Sequence, residues 1–489
     1  MSQVEEEKVL AEVPQQLLIG GEWRPAISGK TFPVEDPATG KVLVEVADGD
    51  ATDARAALAA AVDAQSGWAA TAPRERGEIL RRTYESLMDR ADELALLMTL
   101  EMGKPVAESK AEITYGAEFL RWFSEEAVRI DGRYTVAPNG RGRLLVMRQP
   151  VGPCLLITPW NFPMAMGTRK IGPAVAAGCT MVLKPAQLTP LSSLALANIL
   201  AEAGLPPGVL NVVTTSASGP TTAPIISDPR LRKLSFTGST TVGQQLVALA
   251  ADQLLRVSME LGGNAPFLVF EDADLDAAVD GAVVAKMRNV GEACTAANRF
   301  HVHESVAAEF AGRLAERLGA MKVGRGTEPG VEVGPLISDE QRRTVTELVD
   351  DAISRGATPL VGGDPDLEAA TGYFYPPTVL TAVPAEARVL HEEIFGPVAP
   401  IVSFGSDGEA TAAANDTEFG LVAYVYTTSL NRAFQVCEAL ETGMVGLNQG
   451  LVSNPAAPFG GVKHSGFGRE GGHEGINEYL DVKYIAMNL

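Results

Sequence analysis

Between residues 151 and 264 the chain alternates short apolar runs with helix-length stretches, and this alternation restricts the possible folds more than any other feature. The runs are CLLITP (154–159), TMVLKP (180–185), VLNVV (209–213) and LRKLSFTGS (231–239). Between the second and third, Thr189 is placed to cap a helix that Pro190 opens and Gly204 ends, with Pro206 and Pro207 beyond. Strand–helix–strand repetition of this kind packs as a parallel sheet with helices on both faces. A second series starts after Gly263 with APFLVF (265–270), a helix near 273–290 and the strand RFHVH (299–303), and runs to about 440. The expected architecture is α/β, with two doubly wound domains and a cleft between them. The 489 residues suffice for two to four domains of ordinary size.

Outside these series the pattern changes. Residues 1–50 are rich in turn residues between short apolar runs, which predicts strands and hairpins. From Thr52, the expected N-cap, apolar residues recur every three or four positions, which predicts a run of helices. GRYTVAPNGRGRLLVMRQP (132–150) is a strand-like arm suited to pairing with another element. The net charge of −21 excludes nucleic acid and anionic lipid as partners, because both are bound largely through basic patches. A small anionic substrate stays open, since a local pair of arginines can dominate a buried site.

The N-terminus lacks the basic start and apolar core of a signal peptide, and the weakly charged stretch 151–168 holds three prolines, so no membrane helix is expected. The reading is cytoplasmic. The cysteines, at 154, 179, 294 and 437, have neither zinc-type spacing nor the density of a disulfide scaffold. His301 and His303 share a strand face without a third ligand nearby, which favours an ordinary strand, and no metal is expected.

Three segments carry the chemistry. Cys154, Cys179 and Cys437 sit among apolar neighbours, the usual setting of a buried small hydrophobe. Cys294 instead lies in NVGEACTAANR, a Gly-containing break between helix and strand, where a packed loop cysteine and a reactive thiol are both open readings. In SMELGGNAPF, Glu260 ends a strand-like run before two glycines. Its carboxylate is either a surface group before a turn or one beside a closely approaching ligand. In FTGSTTVG, Gly238 and Gly243 flank a strand–helix junction able to hold a phosphate, though tight-turn glycines fit as well.

Taken together, PWNFP (159–163), KPA (184–186), FTGS (236–239), ELGG (260–263), GEAC (291–294), EEIFGP (392–397) and PFGGVKHSGFGRE (458–470) resemble the aldehyde dehydrogenase superfamily in order and spacing, over nearly the whole chain. The resemblance implies a dinucleotide-binding domain (1–132 and 152–264), a catalytic domain (265–452) and an oligomerisation arm (133–151 and 470–489). It implies NAD(P)-linked oxidation of an aldehyde to an acid, in a homodimer or homotetramer. Cys294 matches the family's nucleophile, Asn161 the oxyanion donor beside the Cys294 backbone N–H, and Glu260 the base that activates the deacylating water. Lys184 and Glu393 match residues holding cofactor hydroxyls, Gly238 and Ser239 the pyrophosphate site, and Trp160 and Phe395 the nicotinamide-ribose end. Glu292 departs from the family's usual Gln; a carboxylate there would raise the thiol pKa if it faced inward, so it is expected to point away. Ala296, where some relatives have a second cysteine, removes a local disulfide.

Within the superfamily the chain is most similar to succinate-semialdehyde dehydrogenases, through TRKIGPAVAAGCTMVLKPA, KLSFTGSTTVG, MELGGNAPF, ANDTEFGL and GLVSNPAAPFGGVK. That similarity implies a carboxylate clamp of Arg169 and Arg288 supported by Ser453. Gly167 and Met287, beside the arginines, are expected to widen the pocket, which makes glutarate semialdehyde the nearest competing substrate. Gln187, three residues after Lys184, replaces a Glu common in NAD-preferring relatives, so the cofactor is expected to be NADP or NAD, with a lean to NADP. A CoA-acylating enzyme would have no need of Glu260, and a non-catalytic relative no need of Cys294, Asn161, Glu260 and Lys184 together.

Overall fold

The computed structural model describes residues 2–364 and 371–488. The first sheet has eight strands, in the order Glu22–Arg24, Leu17–Ile19, Leu210–Val212, Met181–Lys184, Cys154–Ile157, Lys233–Thr237, Arg256–Glu260 and Gly466–Phe467. The five from Leu210–Val212 to Arg256–Glu260 are parallel. Their order reverses between Cys154–Ile157 and Lys233–Thr237, and a crevice at the carboxyl ends of such a pair is where open α/β sheets bind ligands. These central strands are almost wholly buried, which explains why they read as unbroken apolar runs.

A second sheet of seven strands has its own core, with Ala265–Val269 flanked by Ala297–His303 and Val422–Tyr426. All of its pairs are parallel except the edge pair Thr358–Val361 and Thr378–Thr381. Two doubly wound α/β domains are thus present, as the alternation predicted. A third, three-stranded sheet pairs Arg143–Pro150 with Arg133–Val136 and Leu480–Met487, antiparallel throughout. It leaves Tyr134, Val136, Val482 and Tyr484 exposed.

Several local expectations are corrected. The helix Ala51–Ala70 is capped by Asp50, which forms a reciprocal capping box with Asp53, and not by Thr52. The helix Leu191–Glu202 is capped from afar: the buried Glu101 carboxylate accepts from the Leu191 and Ser192 backbone N–H groups at 2.7 and 2.8 Å. Thr189 instead donates its hydroxyl to the Trp160 carbonyl. Residues Gln3–Glu12 form a helix where strands and hairpins were expected, started by a Ser2–Glu5 capping box. At the other end, Gly472–Asn477 is a helix whose Ile476 joins the core of the first domain, so the arm strand begins only at Leu480.

Candidate active site

The crevice at the strand reversal opens into a cavity of about 270 Å³ between the two domains. The strand Cys154–Ile157 leads into Trp160 and Asn161, Lys233–Thr237 into Gly238 and Ser239, and Arg256–Glu260 ends on Glu260 itself. From the other domain, Cys294 arrives three residues before the strand Ala297–His303. All the residues expected to act in catalysis, cofactor binding or the carboxylate clamp line this cavity except Lys184 and Gln187. Lys184 is buried beside it, with Nζ 2.8 Å from the Ser218 hydroxyl, and Gln187 is exposed on the loop that follows.

The loop bearing Cys294 is held by glycines. Gly291 has φ +79°, and a Cβ there would lie 2.2 Å from the Gly396 carbonyl oxygen, so GEAC and EEIFGP are locked backbone to backbone. A Cβ on Gly263 would lie 2.4 Å from the Cys294 carbonyl oxygen, which fixes ELGG against the same loop. Asn161 is positioned from three sides. Its amide donates to the Glu292 carbonyl at 3.0 Å, its side-chain oxygen accepts from the Phe162 N–H, and its own carbonyl accepts from Lys104 and Asn289. An amide nitrogen carries two hydrogens, so one remains for a ligand oxygen.

The electrostatics divide the titratable groups. Burial pushes the Cys294 thiol up to about 12, with Glu393 and Glu260 adding to the rise and Arg169 opposing it. Burial and the neighbouring Glu470 hold the Glu260 carboxyl well above the ordinary carboxylate range, and one of its oxygens has no hydrogen-bond partner. Burial would raise Glu470 too, but Lys170 at 2.6 Å and Arg169 at 2.8 Å keep it below that range. Of this carboxyl pair, Glu470 is the stronger acid and Glu260 the stronger base. Such a pair can exchange a proton with a thiol or a water at the cavity. Glu470 and Phe459, whose ring lies 3.9 Å from the Arg169 guanidinium, were not singled out from the sequence. Both sit in the Gly-rich block 458–470, and only the fold returns that block to the cavity.

Arg169 and Arg288 both line the cavity, in different settings. Arg169 is paired with Glu470. Arg288 rests on the faces of Phe162 and Tyr115, at 4.6 and 5.4 Å, and has no carboxylate at salt-bridge distance among the described residues. The expectation that Gly167 and Met287 widen the pocket is corrected. A Cβ on Gly167 would meet Leu196 at 3.1 Å, Met287 packs into the core of the second domain, and neither lines the cavity. Glu292 is fully buried, and one carboxyl oxygen accepts from the Ile337 N–H, away from the cavity.

On the side of the first domain, the helix Thr240–Ala251 starts at Ser239 without a side-chain cap, which leaves first-turn N–H groups to an anion. Burial lowers the Lys184 ammonium to about 8. Glu393 accepts from the Gly263 N–H at 3.1 Å, and burial raises it to about 7. Trp160 and Phe395 meet edge to face, 5.3 Å between ring centroids. Elsewhere, burial and Arg299 push His301 down to about 3, so its ring is neutral, and His303 bonds Ser305. Among the described residues no three His, Cys, Asp or Glu side chains are grouped to hold a metal.

Known proteins match this arrangement end to end. The sequence profile of the aldehyde dehydrogenase family matches residues 23–485. A succinate-semialdehyde dehydrogenase of Paenarthrobacter nicotinovorans is 58% identical over 446 residues, 91% of this chain and 99% of the relative. The NADP(+) succinate-semialdehyde dehydrogenase GabD of Escherichia coli (strain K12) is 50% identical over 475 residues, 97% of this chain and 98% of the relative. Among solved structures, a succinate-semialdehyde dehydrogenase from Burkholderia pseudomallei superimposes with a TM-score of 0.96 at 49% identity, covering 98% of both chains. With thiol, amide and paired carboxyls converging at the domain cleft, and with similarity running through both domains and the arm, the chain belongs to the aldehyde dehydrogenase family.

Proposed function

We propose that this enzyme oxidises succinate semialdehyde to succinate, with NADP or NAD as hydride acceptor. The observation that carries the reading is Arg288, a cation lining the Cys294 cavity without a carboxylate at salt-bridge distance among the described residues, with Arg169 lining the same cavity. A four-carbon aldehyde ending in carboxylate supplies the missing anion while its carbonyl reaches the thiol. Ser453, on the same cavity wall, adds a hydroxyl to this clamp. The close relatives named above support the same substrate.

The chain's residues divide the work. Cys294 gives up its proton to the ionised form of Glu260 and its sulfur bonds the carbonyl carbon. The Asn161 amide and the Cys294 backbone N–H stabilise the oxyanion that forms. Loss of hydride from that adduct leaves a thioester on Cys294; Glu260 passes the thiol's proton to solvent and then takes one from the water that cleaves the thioester, which the departing thiolate recovers. A nicotinamide dinucleotide, when bound, supplies the hydride acceptor. The first domain fits such a group. Its helix at Ser239 lacks a side-chain cap, a Cβ on Gly238 would lie 2.5 Å from the Phe236 ring, and Lys184 and Glu393 present an ammonium and a carboxyl to ribose hydroxyls. Trp160 and Phe395 would flank the nicotinamide end. Lys184 bonds Ser218 and no carboxylate among the described residues, and Gln187 is neutral, so a 2′-phosphate meets no repulsion there. This supports the lean to NADP, as does the NADP(+) relative.

The exposed apolar strand Leu480–Met487 supports a homodimer or homotetramer joined through the arm. Among the described residues no helix is long and apolar enough to cross a membrane, and we read the enzyme as cytoplasmic.

The test compares kcat/KM for succinate semialdehyde and butanal. A charge-assisted contact to the carboxylate gives an expected preference of at least about 100-fold. Arg288→Ala is expected to remove most of it. Arg169→Ala should lower the preference and also impair turnover of butanal, because it strips Glu470 of a counter-ion. Equal rates for the two aldehydes in the wild type would overturn the carboxylate reading and leave an aldehyde dehydrogenase of other specificity. A preference for the five-carbon semialdehyde would move the assignment by one methylene.

A further inference from the structure

Tyr115 lies outside both sheets, on the helix Val106–Glu126, yet its side chain forms part of the cavity wall beside the two arginines. Its hydroxyl oxygen is buried and has no hydrogen-bond partner among the described residues. The ring is fixed rather than loose. Phe119, one turn along the helix, meets it edge on at 5.1 Å, and the Arg288 guanidinium covers it at 5.4 Å from the ring centroid. The phenol also lies within electrostatic reach of Arg169. A buried hydroxyl left unpaired is costly and rare. The two cations near it, Arg288 and Arg169, can only donate. The group that would satisfy all three is an acceptor carrying negative charge.

Building on the succinate-semialdehyde reading, we propose that Tyr115 determines specificity by donating its phenolic hydrogen to the distal carboxylate of the substrate, as a third donor beside Arg288 and Arg169. A phenol donates to a carboxylate but gains nothing from a methyl group in the same place. A site built to hydrogen-bond a substrate group discriminates strongly against analogues that lack it. Arg169 is already shared with Glu470, so the carboxylate relies on donors that carry no other obligation. Tyr115 and Arg288 are those donors.

The experiment is Tyr115→Phe, which removes one oxygen and keeps the ring against Phe119 and Arg288. Steady-state kinetics are measured with succinate semialdehyde and with butanal, together with the inhibition constant of succinate. The ratio of kcat/KM for the two aldehydes is expected to fall about tenfold, the worth of one hydrogen bond to a charged group. The fall should reside in KM for the semialdehyde, with kcat nearly kept, and the succinate inhibition constant should rise by a similar factor. A merely structural role would lower both aldehydes together and leave the ratio where it was, and that result overturns the proposal. So does an unchanged succinate constant. A wild-type enzyme with no preference for the semialdehyde would refute the carboxylate reading itself, and Tyr115 would fall with it. A wild-type preference that survives Tyr115→Phe would refute Tyr115 alone.

Discussion

Replacing Glu292 by Gln should make the protein more stable, by an amount that grows with pH. The Glu292 side chain is fully buried; one oxygen accepts from the Ile337 N–H at 3.0 Å and the other has no partner. The Lys104 ammonium is committed to Glu112 and the Asn161 carbonyl. Burial therefore raises the Glu292 carboxyl well above its ordinary range. In the unfolded chain it titrates near about 4.3. Below that pH both states are protonated and the group contributes no pH dependence. Above it the unfolded chain loses the proton while the folded protein keeps it, so stability falls by up to about 1.4 kcal/mol per pH unit until the folded carboxyl ionises. Gln has the same shape and no proton to lose.

From pH 5.5 to 7.5 the advantage of Glu292→Gln should therefore grow by up to about 2.7 kcal/mol. For 489 residues unfolding in one transition, an entropy of roughly 1 kcal/mol/K converts that into a gap in melting temperature widening by about 2–3 °C. The assay is thermal melting of both proteins at matched scan rate across that pH range, with activity at pH 7 as a check that the loop is intact. The Glu292 backbone carbonyl, which accepts from Asn161 and Asn289, is untouched by the change. A gap that stays constant with pH would refute the argument, because any packing difference between Glu and Gln is independent of proton concentration.

Two further outcomes follow from the same loop. Gly291→Ala must place a Cβ on the Gly396 carbonyl in a left-handed backbone, so the loop has to shift. A displacement of about 1 Å between Cys294 and its partners should lower kcat/KM about 100-fold or more, with little change in circular dichroism. Activity within a few-fold of wild type would show that the contact yields easily. Burial holds the Cys294 thiol at about 12, so its rate of alkylation by iodoacetamide in the cofactor-free enzyme should rise about tenfold per pH unit from pH 7 to 10. A plateau below pH 9 would show that the thiol is already activated at rest.

The alternation of apolar runs and helices was enough to specify two parallel sheets, because burial on both faces is written into each strand by its own few residues. The chemistry-bearing blocks were legible too, since each ends a strand or opens a loop. Cys294, Glu260 and Asn161 all reach the cleft, and the two arginines line it with them. The Asp50 cap and the Gln3–Glu12 helix were local misses; the others depend on a residue distant in sequence. The cap of Leu191–Glu202 comes from Glu101, 90 residues away, and not from the adjacent Thr189. Gly167 faces Leu196 and not the pocket. Lys170 and Glu470 pair across 300 residues, and with Arg169 they decide which of two carboxyls is the stronger acid.

Tyr115 was not singled out within the run of helices; the fold alone brings its unpartnered hydroxyl to the cavity that Arg169 and Arg288 also line. Backbone propensity and hydrophobic period act over a turn or a strand, so the sequence alone determined the elements and the residue types at their ends. Desolvation, charge pairing and the direction of a side chain exist only once distant segments are in contact, so the tertiary structure alone decided which of those residues share a proton, a charge or a wall of the cavity.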